Sequence, residues 1–272
     1  MPLLSDQCDS ALIHLAEDAG RAILNYYGQA ETVLEKSDAS PLTRADLEAH
    51  RIIVNGLESI EPAWPILSEE SRALGFEDRM HWETYWLVDP LDGTKEFLKM
   101  NGEFTVNIAL IHRHEPILGV VHAPALGETF FGKKGAGARK ILKDQSSLTL
   151  KARPHEMPPY RVVGSRSHPS EGLDAFLSLL GPHEMVGIGS SLKFMRIAEG
   201  AADLYPRFGP TSEWDTAAAH VILEASGGSL IDLKGHPIRY NTKASLLNPY
   251  FIASGWPDGC WILPHLERLS FR

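Results

Sequence analysis

Apolar positions at Leu12, Leu15, Ala16, Ala19, Ile23 and Tyr26 recur with helical spacing and predict a helix over residues 8–28. Lys36 to Pro41 has loop composition. A second helix follows, with Thr43 as N-cap, Asp46 three residues on, and an apolar face of Leu47, Ile53, Val54 and Leu57. Pro62 and Pro65 bracket a turn before a short strand at Ile66-Leu67. The run Tyr85 to Val88 reads as a buried strand that Pro90 ends, because proline cannot donate to a ladder. Thr94 to Leu98 reads as a short helical turn. Strands at 105–111, 117–121, 128–132 and 138–141, separated by Pro/Gly turns, predict an antiparallel meander.

Beyond Pro154, Pro158 and Pro159 the pattern alternates. Strands are expected at 161–163, 185–188, 202–205, 229–231 and 251–253. Helices are expected at 173–180, 192–198, 215–225 (closed by Gly227-Gly228) and near Trp256 to Arg268. The first half is therefore α+β and the second α/β. The boundary divides the chain into residues 1–155 and 156–272. Gly135-Ala136-Gly137 lies between strands with no helix after it, so it is a turn and not a dinucleotide fingerprint.

Composition narrows the class. The 272 residues are 43% hydrophobic and 22% charged, ordinary for a globular protein. A net charge of −9 without a basic tract excludes long nucleic acid as a partner, while small anions remain compatible if cations are bound. Two cysteines, Cys8 and Cys260, make no disulfide framework, and the histidines form no HExxH or zinc spacing. No signal peptide or membrane span is expected, which predicts a cytoplasmic protein; peripheral attachment at the inner face of the membrane stays open.

The chemistry concentrates at element ends. Asp89 and Asp92 leave the strongest strand together, beside Gly93 and the start of a helical turn. Paired carboxylates suit a hard divalent cation, and amides at a helix start suit phosphate. Taken alone, a DPxD segment is equally a turn. Asp46, Glu69 and Asp215 also fall at element ends, each explicable singly as a cap or turn residue.

Together, Ser68-Glu69-Glu70-Ser71, Asp89-Pro90-Leu91-Asp92-Gly93-Thr94 and Trp214-Asp215-Thr216-Ala217-Ala218 with Gly227-Gly228 resemble the three signatures of the lithium-sensitive, Mg²⁺-dependent inositol monophosphatase superfamily. The likeness spans nearly the whole chain. It implies the layered α-β-α-β-α sandwich of the inositol monophosphatase / fructose-1,6-bisphosphatase type. Asp92 to Phe97, Gly164 to His168, Gly189 to Phe194 and Tyr205-Pro206-Arg207 resemble its CysQ-type 3′(2′),5′-bisphosphate nucleotidase branch. Met195 and Ala219 depart from the usual pattern, which has cysteine and glycine there.

By this resemblance Glu69, Asp89 and the Leu91 carbonyl hold one Mg²⁺, and Asp89, Asp92 and Asp215 a second, with two or three ions per site. Glu69 and Thr94 orient the attacking water, with Asp46 behind Thr94 as proton acceptor. Glu69, Leu91, Asp92, Gly93, Thr94 and Asp215 also face the scissile phosphate. Ser165, His168, Gly189 and Lys193 are the implied nucleoside and 5′-phosphate contacts. The expected reaction converts adenosine 3′,5′-bisphosphate to AMP and phosphate, with a small nucleotide as sole partner and monomer or homodimer left open. The alternatives are an inositol or sugar monophosphatase of the same superfamily, or a non-catalytic nucleotide- or metal-binding sensor.

Overall fold

The computed structural model describes residues 6–29, 34–35, 41–60, 62–71, 74–165, 171–258 and 260–266. The first half runs α1 (Asp6–Leu24), β1 (Leu34–Glu35), β2 (Pro41–Leu42), α2 (Arg44–Glu58), β3 (Ile66–Ser68), α3 (Phe76–Arg79), β4 (Thr84–Asp92) and α4 (Thr94–Leu98). It continues through β5 (Thr105–His112), β6 (Glu115–Ala123), β7 (Glu128–Lys133), β8 (Gly137–Ile141) and β9 (Ser147–Thr149). The second half comprises β10 (Tyr160–Ser165), α5 (Glu171–Leu180), β11 (His183–Ile188), α6 (Leu192–Ala198), β12 (Leu204–Arg207), α7 (Glu213–Ala225), β13 (Ser229–Asp232) and β14 (Phe251–Ser254). A 3-10 turn, Cys260–Ile262, then leads into the short helix α8 (Leu263–Leu266).

β3 to β9 form a seven-stranded sheet in sequence order, antiparallel except for the β3–β4 pair. The second sheet is mixed, in the order β11-β10-β12-β14-β13. Side-chain alternation on β4 sorts the layers. Trp86 and Val88 face the core built with Leu12, Ala16 and Ile23 of α1 and Ile53 and Leu57 of α2. Tyr85 and Leu87 face the opposite core, shared with α6, α7 and the near side of the second sheet. Val162, Leu204 and Ile252 turn to the far side, against Phe176 and Leu180 of α5 and Leu266 of α8. Five layers result, in the order α-β-α-β-α.

α7 is the central layer and approaches the large sheet closely. A Cβ on Gly119 would lie 2.4 Å from the Ala218 carbonyl oxygen, and one on Gly132 would lie 2.7 Å from Ile222 Cα. Glycines on two adjacent strands thus let the helix backbone rest on the sheet, and its N-terminus is fixed against the end of β4.

Several elements differ from the sequence expectation. β4 continues through Pro90 to Asp92, because the ladder to β5 skips from Asp89 to Asp92 and asks no amide of Pro90. β12 likewise runs through Pro206 to Arg207, where β10 pairs with it only at Leu204. The buried face of α2 is Ala45, Ala49, Ile53 and Leu57; Leu47 is exposed. The last helix is a 3-10 turn and one α-turn rather than a continuous helix from Trp256, and its final expected residues lie outside those described. β9 is short and exposed, and lacks the apolar alternation that would have marked it.

Candidate active site

Glu69, Asp89, Leu91, Asp92, Gly93, Thr94, Ser165, Gly189, Lys193 and Asp215 line one cavity of about 750 Å³ where the two sheets and α7 meet. Asp46 is buried directly behind Thr94. His168 lies outside the described residues. Arg207, Tyr205 and Phe208 line the same cavity.

Each acid is delivered by its element's end. The bulge after Asp89 turns that side chain back, so that Oδ1 accepts the Leu91 amide at 3.1 Å. Gly93 has φ 93°, a left-handed conformation that lets the chain leave β4 and start α4 within one residue. Asp92 Oδ2 accepts from Ser191 N at 2.6 Å and Ser191 Oγ at 2.9 Å, joining β4 to the start of α6. Asp215 Oδ2 accepts the Ser212 amide at 2.9 Å, and a capping box of these two residues starts α7. Glu69 follows β3, with its amide on the Val88 carbonyl.

Asp46 plays two parts. Its Oδ2 accepts from Thr43 N at 2.8 Å and Thr43 Oγ1 at 2.6 Å, which caps α2. Its Oδ1 faces Thr94 Oγ1 at 3.2 Å. The Thr94 hydroxyl thus stands between a buried carboxylate and the cavity.

The electrostatics call for a cation. Burial, then the charges of Glu69, Asp92 and Asp215, push the Asp89 carboxyl well above its usual range. Burial with Asp92 and Glu69 does the same to Asp215. Burial also raises Asp92, against the opposing pull of Lys193 and Ser191. Among the described residues no three acidic, His or Cys side chains already converge at ligating distance; the carboxylates instead take the protein donors named above. An oxygen-only set of clustered, mutually repelling carboxylates at strand and helix ends nevertheless fits a hard divalent cation, which would relieve the repulsion.

The same cavity is also lined by two cations, Lys193 and Arg207. Lys193 Nζ donates to the Ser190 carbonyl at 2.6 Å and the Ile188 carbonyl at 3.3 Å, and lies over the Tyr205 ring. Burial pulls its pKa down to about 8. Arg207 Nη2 donates to the Pro210 carbonyl at 2.9 Å, and its Nε is buried without a protein partner. Arg207 is not among the site residues expected from the sequence, where it appears only within the Tyr205-Pro206-Arg207 stretch. The signal was present in Tyr205-Pro206-Arg207, an arginine at a strand end. Gly189 lines the cavity at a close approach of chains: a Cβ there would lie 2.7 Å from the Glu103 carbonyl oxygen and from Glu96 Cγ, and its amide donates to Glu103 Oε2 at 2.8 Å. Ser191 and Asn107 hold Asp92; Ser191 falls within the Gly189 to Phe194 stretch without an expected role, and Asn107 carried no sequence signal.

No helix among the described residues is long and apolar enough to cross a membrane. The chain is 48% identical over 242 residues to the 3′(2′),5′-bisphosphate nucleotidase CysQ of Escherichia coli K12, covering 88% of this chain and 96% of that one. It is 35% identical over 262 residues to the Haemophilus influenzae protein of the same name, covering 96% and 97%. The crystal structure of CysQ from Bacteroides thetaiotaomicron superposes with a TM-score of 0.80 at 41% identity, covering 91% of this chain and 97% of that one. An inositol monophosphatase-type protein from Thermotoga maritima shares the fold, with a TM-score of 0.74 at 24% identity. The model of the inositol monophosphatase family, whose members are metal-dependent phosphatases, matches residues 5–259, and the chain belongs to that family.

Proposed function

We propose that the protein is a Mg²⁺-dependent 3′(2′),5′-bisphosphate nucleotidase that hydrolyses the 3′-phosphate of adenosine 3′,5′-bisphosphate to give AMP and phosphate. One observation carries the reading: a single cavity is lined both by clustered carboxylates and by the cations Lys193 and Arg207. A nucleoside bisphosphate can use both sets of groups. An inositol monophosphate has one phosphate and nothing further to give Lys193 and Arg207. The named relatives support the same substrate class.

Glu69, Asp89 and the Leu91 carbonyl would hold one Mg²⁺, and Asp89, Asp92 and Asp215 another, with two or three ions per site. When bound, such ions neutralise the phosphate, acidify a coordinated water and stabilise the departing alkoxide. The chain's own groups do the rest. Thr94 accepts a hydrogen bond from the attacking water while donating to Asp46, which takes up the proton; Glu69 orients the same water from the other side. The amides of Gly93 and Thr94 face the phosphate oxygens. Residues 1–155 supply this chemistry, except for Asp215. Residues 156–272 hold the nucleoside and its 5′-phosphate through Ser165, Gly189, Lys193, Arg207 and, from the sequence resemblance, His168.

The test is phosphate release with Mg²⁺ from adenosine 3′,5′-bisphosphate, 3′-phosphoadenylyl sulfate, 3′-AMP and inositol 1-phosphate. The reading expects the bisphosphate nucleotides to have the higher kcat/KM. Faster turnover of inositol 1-phosphate would replace it with a sugar or inositol phosphatase.

A further inference from the structure

α7 carries Asp215 at its start, and one of its faces bears Thr216, His220 and Glu224 at intervals of four residues. Thr216 lines the catalytic cavity. Glu224 and His220 line a separate cavity of about 210 Å³ at the other end, with Glu115, Lys134 and Arg239 on its rim. Eight residues of helix separate the ends by about 12 Å.

Polar contacts connect them. His220 Nε2 lies 3.0 Å from Glu224 Oε1, an ion-pair distance outside hydrogen-bond geometry, and Glu224 is partly exposed. His220 Nδ1 lies 3.0 Å from the Tyr240 hydroxyl, which is 3.2 Å from Thr216 Oγ1. Asn248 Nδ2 donates to the Ser212 carbonyl at 2.6 Å, and its second N–H is shared between Thr216 Oγ1 at 3.1 Å and Thr211 Oγ1 at 3.2 Å. His220, Tyr240 and Thr216 are all buried.

One arrangement of protons runs through the whole chain. With Glu224 ionised, its carboxylate favours the ring proton on Nε2, which makes Nδ1 an acceptor for the Tyr240 hydroxyl. Tyr240 then accepts from Thr216, whose hydroxyl also lies 3.2 Å from the Glu213 carbonyl, and Thr216 accepts from Asn248. The last member grips Thr211 and Ser212, which wall the catalytic cavity and start the helix of Asp215.

We propose that Glu224, His220 and Tyr240 are positioning residues: the Glu224–His220 contact fixes the ring, and the hydrogen bonds from the ring through Tyr240 hold Thr216 and Asn248, and through them the Thr211–Ser212 wall against which substrate binds. The inference rests on the nucleotidase reading for its substrate but not for its geometry. Glu224 touches nothing in the catalytic cavity, so an effect of its substitution there reports the chain itself.

The experiment compares Tyr240→Phe, Glu224→Ala and Glu224→Gln with wild type, and with Ile222→Val as a variant weakened elsewhere on α7. KM and kcat are read with adenosine 3′,5′-bisphosphate, and backbone amide and His220 ring nitrogen spectra with labelled protein. We expect KM to rise about fivefold or more in Tyr240→Phe and Glu224→Ala with kcat within about twofold, a loss of uniform binding. Glu224→Gln, which still presents an oxygen to Nε2, should restore the wild-type KM, and Ile222→Val should leave it unchanged. The ring should be protonated at Nε2, and the amides of Thr211, Ser212 and Asn248 should shift in the first two variants. Unmoved amides at those positions, or a ring protonated at Nδ1, would overturn the proposal even if wild type proved inactive on the nucleotide. Inactive wild type with shifted amides would overturn the substrate reading and leave the positioning chain standing.

Discussion

The Thr94 hydroxyl meets Asp46 Oδ1 at 3.2 Å across 48 positions of sequence. The other oxygen of that carboxylate is bound twice by Thr43, so the group that faces Thr94 cannot turn away. One acid therefore both starts α2 and backs the proposed water-orienting hydroxyl.

Asp46→Asn leaves one acceptor where two are used. We expect kcat to fall by about 10²–10⁴, the usual range for a lost general base, with little change in KM. Stability should fall by about 1 kcal/mol, because the cap of α2 is weakened at the same time. Steady-state kinetics and thermal melts separate the two effects. A kcat within tenfold of wild type would remove Asp46 from the proton path.

Asp89→Asn should act in opposite directions on stability and turnover. Asp89 is buried among Glu69, Asp92 and Asp215, and its ionised form is disfavoured there. Replacing it with a neutral side chain should raise the melting temperature in metal-free buffer while turnover disappears. Wild type should gain about 2.7 kcal/mol at a Mg²⁺ concentration 100-fold above Kd, and the variant should gain almost none. Melts with and without Mg²⁺ read this without an activity assay. Equal Mg²⁺ stabilisation of the two proteins would exclude Asp89 as a ligand.

The elements of the fold were legible because the unbroken apolar run Tyr85 to Val88 marks a buried strand and the 3.6 periodicity is strong in α1 and in α7. Pro90 misled. It sits inside β4 where the ladder to β5 skips from Asp89 to Asp92 and makes no demand on its nitrogen, and a strand's neighbours are not visible in its own sequence. The strand expected at 202–205 likewise extends through Pro206 to Arg207, where β10 no longer pairs with it. The acidic positions were readable from their motifs. The groups that fix them were not: Ser191 and Asn107 are ordinary residues made important by a contact across 84 positions.

His122 gives a pH dependence of stability remote from the acids. Its ring is buried against Gly20, with Nδ1 2.9 Å from Thr129 Oγ1. Burial pulls its pKa down to about 4 from the ordinary 6.5. Between those values the unfolded chain binds a proton that the folded chain does not, so the folded state is favoured fully above about pH 6.5 and progressively less as pH falls towards 4. The loss through this group approaches about 3 kcal/mol by the low end of the window. His122→Gln should flatten that part of the profile. Urea melts of both proteins at pH 7 and pH 5 check it, and parallel losses would assign the acid sensitivity to other groups.

The last prediction divides the roles of the two cations that line the cavity. Lys193 is buried, and its ammonium already donates to the carbonyls of Ile188 and Ser190. Arg207 leaves the end of β12 with one nitrogen on the Pro210 carbonyl, and its Nε–H is buried without a protein acceptor. A planar guanidinium with a donor to spare suits two oxygens of a phosphate better than an ammonium already held by backbone. Arg207→Ala should therefore cost about 1.5–3 kcal/mol in kcat/KM with adenosine 3′,5′-bisphosphate, the worth of a charged hydrogen bond. With 3′-AMP, which has no 5′-phosphate, the same substitution should cost little. Lys193→Ala should also discriminate against the bisphosphate, through lost charge, but it leaves the two carbonyls without their donor and should lower the melting temperature more than Arg207→Ala does. The four values of kcat/KM relative to wild type, with the two melts, decide the division. Equal losses on both substrates for Arg207→Ala would mean that it does not read the 5′-phosphate. Equal losses for both variants would leave the bisphosphate preference without a residue to carry it.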